Sequence, residues 1–571
     1  MAEKKTKTPA TNAEDFISSA YSLFEEFRQA YESEWTRLAK NERLYLGNHW
    51  DDMGQMNADP NDPKPVTPTI HSTCENIESD LMDNYPEAII QPENPDDLEV
   101  AQVVGALVKQ NHDSMRFRAE YQKLCHDLIV GGYCVSETGY DTHANRGIGG
   151  AYIRYVDNRN ILFDPQVTNI QDGRAVFKIA PRTIEWLEKK YPDKAGTFQQ
   201  DTYKLEADSV LKYDQTKSIL QIEYWFKEFD PATQQWRVHM VIMAGRQLLE
   251  DSRQAKPEGY FALGEYPFTV VPLFRRKNSA IGYGIPDVFG ELQMYSDKLD
   301  QVSLKNAQMA SHNKLLVTEA SGFDVDDLRD WSKDVHRGES LNGITWFPTP
   351  SLPAYFVQQP NVMRQAIKDE SGANDFSRGN TGSGVTAASA INALQQMSTK
   401  RSRKATMLMH EAFKDAVRYE IEFEREFNIL PREVLLTIDG EQRIATFESA
   451  ITQKETSNGN VVPIEFFISI KVERENAWAT LSHNELMMQM VQFGILKPEQ
   501  ALELMVFEGK ESVLNKRYNQ APTPEEMMQQ QAMEQAAAEQ QGLEAAMSSL
   551  PMPEEMNNQM LNGLNNQVAP V

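Results

Sequence analysis

The stretch YPFTVVPLFRRKNSAIGYGIPDVFGELQMYSDKLDQVSLKNAQM, residues 266–309, changes its period half-way. Its first part, FTVVPLFRR, is β-branched and aromatic and reads as a strand. Residues 287–312 read as a helix, on which Val288, Leu292, Tyr295, Leu299, Val302 and Met309 mark one face. Pro286 stands near the first turn, where its missing N–H is tolerated. Phe289 and Leu304 lie off that face, so this helix has more than one apolar side.

Working outward, residues 314–359 are short and mixed. LLVTEA and GITWFPT read as strands and DVDDLRDWSKDV as a short helix. A brief helix over 361–375 follows, then the loop GNTGSGVT (379–386), then the longest helical run, 387–428. Ala405, Leu408, Ala412, Ala416, Tyr419, Phe423 and Phe427 hold a seam along that run. Two helices around a small mixed module give an antiparallel stalk with a tip. Upstream, 133–275 alternates strand candidates (YCVSETGYDT, AYIRYVD, RAVFKIA, SILQIEYWFKEFD, WRVHMVIMAG) with one helix at 183–192. Before them come an amphipathic helix at 12–46, carrying Phe16, Ala20, Phe24, Phe27 and Tyr31, and helices at 70–84 and 96–132. The proline-rich loop NADPNDPKPVTPT (57–69) separates the first two. After the long helix, EVLLTIDG and VPIEFFISIKVE are strands and 482–507 is helical. The Met/Gln-rich tail beyond Arg517 reads as a helix over 524–547 and as disorder past 550. The fold class is α+β.

The 571 residues, 40% hydrophobic and 25% charged, suit a soluble chain of several domains. No apolar run is long enough to span a membrane, and MAEKKTKTPA has no apolar segment behind it, so no signal peptide is expected. Cys74, Cys125 and Cys134 read as buried structural thiols rather than disulfide partners or metal ligands. A net charge of −26 excludes an ordinary nucleic-acid binder, whose phosphate contacts need a basic face. It leaves room for a protein that handles DNA without gripping it.

In order and spacing over residues 12–430, the chain resembles the portal proteins of tailed bacteriophages, of the podovirus-like head-to-tail connector type. The similarity rests on RLYLGNHWDD, DLMDNYPEAIIQPENPDD, YVDNRNILFDP and the 266–309 stretch with its G-x-G-x-P turn at Gly282, Gly284 and Pro286. The resemblance implies a portal fold assembled as a ring, usually a dodecamer, at one capsid vertex, with genomic DNA packaged and ejected through its channel. After a flexible N-terminus (1–11), residues 12–286 would form a wing. A stem helix (287–313), a clip (314–359), a second stem helix (360–375) and a tunnel loop (376–386) follow. The long helix and strands of 387–480 return to the wing, 481–516 form a crown, and 517–571 a helical barrel or disordered tail. The partners implied are further copies of the chain, double-stranded DNA, the terminase large subunit, head–tail adaptors, and capsid and scaffolding proteins. The place implied is the virion, with the host cytoplasm during assembly. No cofactor, metal or membrane partner is implied, and no enzymatic activity. Another virion structural or adaptor protein, or a nucleotide-driven motor subunit, are the competing readings.

GNTGSGVT superficially matches a phosphate-binding loop, but Val385 stands where the lysine is required, and the segment before it is helical rather than a strand. Arg378, Gly379, Asn380, Thr381, Gly382, Ser383 and Gly384 instead suit a supple loop facing DNA. Glu291, Asp297, Lys298, Asp300 and Lys305 are candidates for a channel wall, the acidic ones repelling phosphate. Trp331, Trp346, Phe347 and Tyr355 cluster in the 314–359 module, as core or as a docking surface for a partner. Lys400, Arg401, Arg403 and Lys404 form the densest basic cluster, suited to pairing with an acidic neighbouring subunit or to DNA. The acidic start of DVDDLRD reads as helix capping.

Overall fold

The computed structural model describes residues 13–54, 61–198, 218–231, 233–311, 314–330, 332–348, 352–372, 400–438, 441–455, 461–474, 477–494 and 497–505. The chain divides into two compact units, Met1–Leu436 with Arg443–Asn476 and Thr437–Gln442 with Ala477–Val571.

The first unit opens with α1 (Ala13–Tyr45), which ends at Gly47 in a left-handed turn. Then come α2 (Thr69–Met82), β1 (Asn84–Pro92), α3 (Leu98–Met115) and α4 (Phe117–His126), the last running into one π-helical turn, Asp127–Gly131. Strands β2 (Tyr133–Asp141), β3 (Gly150–Val156), β4 (Ile161–Phe163) and β5 (Ala175–Thr183) follow, then α5 (Ile184–Lys190). Next are β6 (Ser218–Asp230), β7 (Gln235–Ala244), β8 (Gln247–Asp251), β9 (Phe268–Pro272) and the small pair β10 (Phe274–Arg275) and β11 (Gly282–Tyr283).

Helix α6 (Ile285–Ser311) leads to β12 (Leu315–Val317), α7 (Val325–Arg329) and β13 (Ile344–Trp346), and α8 (Ala354–Ser371) returns beside α6. After α9 (Lys400–Phe427) come β14 (Arg432–Ile438), β15 (Glu441–Phe447), β16 (Gln453–Glu455), β17 (Val461–Pro463) and β18 (Phe466–Arg474). In the second unit, α10 (Ala477–Gln492) packs on α11 (Pro498–Leu504).

The aromatic face of α1 builds the main core. Phe24 and Phe27 each meet Phe177 edge-on at 5.5 Å, and Tyr31 meets Phe163 at 5.8 Å while its hydroxyl accepts from the Phe163 N–H. Each such pair contributes about 0.5–1.5 kcal/mol beyond its buried area. The sheet beneath is antiparallel in the order β4-β5-β6-β7-β8. A second sheet, β3-β2-β9, carries α9 on its face, with Ala405, Met409, Phe413, Ala416 and Phe423 of α9 buried. β1 and β18 pair antiparallel along nine residues, Asn84 opposite Arg474 and Pro92 opposite Phe466, under α3.

One reading is corrected, and one strand that the sequence reading did not name is added. The helix expected over 361–375 begins at Ala354 and runs through Pro360. Pro360 is buried, with its carbonyl against the Ser296 hydroxyl of α6, so interhelical packing offsets the lost backbone bond. Strand β8 shows no apolar alternation because it is a half-buried edge strand. The start of the helix expected from 387 lies outside the described residues, as do the tail beyond 505 and the loop 376–386.

Candidate functional site

α6 starts from a crowded backbone crossing. Gly132 is left-handed (φ +91°), and a Cβ there would lie 2.3 Å from the Tyr283 carbonyl carbon. Gly284 lies as close to the other chain, since its Cβ would be 2.6 Å from the Ile129 and Val130 carbonyl oxygens. The G-x-G-x-P turn is therefore glycine-rich so that two backbones can touch. Asp287 accepts from the Gly284 N–H at 2.8 Å and pairs with Arg37 of α1. Arg37 also donates to the Gly131 carbonyl at 2.7 Å, and Asn41 to Val130 at 3.1 Å. The first turn of α6 is thus fixed to α1 and to the π-helical turn.

From there α6 presents three faces. One carries Gln293, Asp297, Gln301 and Lys305, spaced four apart, and the proline-rich segment 61–68 runs along it like a strap. Gln293 Nε2 donates to the Thr67 carbonyl at 2.7 Å, and the Thr67 N–H donates to Asp297 at 3.3 Å. Gln301 Nε2 donates to the Pro63 carbonyl at 2.9 Å and Lys305 to Asp62 at 2.5 Å. Trp50 Nε1 donates to the Pro65 carbonyl at 3.0 Å. Prolines offer carbonyls but no N–H, and the helix answers with amide donors. Each neutral bond of this kind contributes about 1 kcal/mol net.

Asp297, expected on a channel wall, is 0% exposed on this face. His49 Nδ1 lies 2.5 Å from its Oδ2, and His49 Nε2 3.0 Å from the Leu44 carbonyl. A carbonyl only accepts, so Nε2 carries a hydrogen, and the Nδ1–Asp297 contact needs a further proton. Lys298 donates to Gln301 at 2.5 Å, and Lys305 is taken by Asp62.

The second face meets α8, where Asp300 pairs with Arg364. Burial lifts the Asp300 carboxyl above its ordinary range, against the opposing pull of Arg364. The third face is uncovered. Val288 and Tyr295 are 47% and 50% exposed, Leu292, Leu299 and Val302 are half-buried, and Met309 is exposed. Glu291 also stands in the open. Val288, Tyr295, Val302 and Met309 recur every seven residues, with Leu292 and Leu299 between them, a 4-3 spacing suited to a partner helix.

The other predicted residues are not brought to this face. Trp346, Phe347 and Tyr355 are exposed rather than packed in a core of this chain, and Trp331 lies outside the described residues. Asp324 caps α7, accepting from the Asp326 N–H at 3.0 Å. Lys400 and Arg401 fall in the first turn of α9. Arg403 and Lys404 are exposed, the Lys404 ammonium 5.6 Å from the Phe274 ring. Arg378 to Gly384 lie outside the described residues.

Sequence reasoning missed the strap. Its signal was present as a four-residue polar spacing on α6 and a proline-rich segment, but nothing linear joins positions 230 or more residues apart.

Two titratable groups stand at the start of the π-helical turn. His126 lies between Glu42 of α1 and Glu78 of α2, at 3.6 and 3.4 Å. Burial lowers its pKa, but the two carboxylates outweigh that and push it up to about 10. Asp127 accepts from the Tyr155 hydroxyl at 2.9 Å; burial, and then Asp157, raise its pKa to about 7. Cys74, Cys125 and Cys134 are buried, which pushes all three thiols up.

Among the described residues no helix is long and apolar enough to cross a membrane. A family model described as phage P22-like portal protein matches residues 22–563. No curated protein matches the chain.

Proposed function

Because this chain belongs to the phage P22-like portal protein family, whose role is structural in the virion, we propose that it forms a dodecameric ring at one capsid vertex. DNA passes through the ring, and terminase and head–tail adaptors dock on it. α6 and α8 form the stem, the 314–353 module between them the clip, and the loop 376–386 faces DNA in the tunnel.

The observation that carries this reading is the uncovered 4-3 seam of α6. A helix buried on two sides by its own chain keeps a third apolar stripe at interhelical spacing. A second copy repeated around a ring covers such a stripe. The net charge of −26 supports a conduit, since acidic walls avoid the counterion-release binding that would hold DNA in place. Among the wall candidates Glu291 is left open to a channel, whereas Asp297 and Lys305 are engaged by His49 and by the strap.

Electron microscopy and native mass measurement test the ring. The unmodified protein forms closed rings, and Tyr295→Asp, which places a charge on the seam, yields folded monomers with an unchanged circular dichroism spectrum. A wild-type chain that stays monomeric at every concentration and salt refutes the reading, as does a Tyr295→Asp variant that forms rings equally well.

A further inference from the structure

The strap over α6 joins two features that seldom go together. Gln293, Asp297 and Gln301 are 0–2% exposed beneath it, although all three are polar. No residue of the strap is itself fully buried: every one from Asn61 to Pro68 is half-buried or exposed. The bonds named above attach it through side chains, with proline carbonyls as acceptors at Pro63 and Pro65. Water replaces such bonds on opening, while the half-buried Pro63, Pro65 and Val66 and the buried Trp50, bonded to Pro65, make the closed state the resting one. His49 sits outside the strap, on the turn His49–Asp51, so Asp297 keeps its buried partner when the strap leaves.

We propose that segment 61–68 is a latch with two states on α6. In the closed state it covers Gln293, Asp297 and Gln301 and pairs through Asp62 with the exposed Lys305. In the open state it lifts away, and that four-residue ladder becomes a hydrophilic wall with two carboxamides, a carboxylate and an ammonium facing water. Opening changes the surface that α6 shows without unfolding the helix, because its first turn stays anchored through Asp287 to Arg37 and Gly284. The functional arm of this inference rests on the portal reading; the structural arm does not.

Two measurements on the full-length protein test it. Gln301→Cys places a thiol under the strap, in a chain whose native cysteines are buried. A maleimide labels Cys at 301 at least tenfold faster than the native three under native conditions. Labelling as slow as that of the native thiols refutes the open state. In the second, Asp62→Cys and Lys305→Cys, whose native side chains meet at 2.5 Å, are joined by a short reducible bis-thiol reagent. Rings locked this way assemble but package DNA at least tenfold more slowly, and reduction restores the rate. Equal packaging by locked and reduced rings overturns the latch. Failure of the unmodified protein to package at all counts against the portal reading instead, and the labelling result stands apart from it.

Discussion

Gly132 and Gly147 have nearly the same backbone angle, φ +91° and +92°, in different surroundings. Replacing each by alanine therefore separates backbone strain from steric overlap. Forcing an L-residue into the left-handed region costs roughly 1–2 kcal/mol, and this applies to both variants. At Gly147 nothing lies within 4 Å of the new methyl, so the strain is the whole effect. At Gly132 the methyl meets the Tyr283 carbonyl carbon at 2.3 Å, the Gly284 nitrogen at 2.4 Å and the Tyr283 Cα at 2.5 Å. All three are backbone atoms, so no rotamer change relieves the contact. Overpacking of this kind adds about 1–3 kcal/mol, and the expected loss for Gly132→Ala is about 2–5 kcal/mol. Urea unfolding followed by circular dichroism gives the two losses as midpoint shifts at constant slope. Because the overlap falls at the entry to α6, Gly132→Ala also lowers ring yield, while Gly147→Ala leaves it unchanged. Equal losses in the two variants, or a larger loss at Gly147, would refute the account of the crossing.

Asp127→Asn keeps an acceptor for Tyr155 and removes an acid whose pKa in the fold is about 7. A carboxyl raised in the fold from an ordinary value near 4 withholds stability progressively as pH rises through 4 to 7. The variant therefore gains on the order of 2–4 kcal/mol at pH 8 and little at pH 4, read by unfolding at both pH values; an equal gain at both counts against it. His126 has the opposite sign: raised to about 10, it contributes fully below about 6.5 and loses its contribution as pH climbs from there through 10, so His126→Ala is most costly at and below about pH 6.5 and costs little above pH 10. His49→Ala strands the Asp297 carboxylate and costs about 3–5 kcal/mol, part of which Asp297→Ala restores in the double variant; additive losses mean the pair is not coupled. Deleting Gly379–Gly384 leaves ring assembly intact and impairs DNA packaging, and normal packaging by the deleted form removes the loop from the channel.

Periodicity alone determined most elements of this protein. The aromatic stripe of α1, the β-branched and aromatic runs of β5, β6 and β7, and the recurring apolar face of α6 are local patterns, and local patterns survive in a linear sequence. The G-x-G-x-P turn was also legible, though not its reason, which is a second backbone lying against Gly282 and Gly284. Tertiary structure decided which face of α6 is buried. Asp297 and Glu291 are both acidic residues of one helix, and nothing in their own spacing separates them. The distinction comes from His49 and Thr67, some 230–250 residues away, which draw Asp297 inward and leave Glu291 in the open. A charge is buried only where the rest of the chain supplies its partners, and those partners are set by the fold.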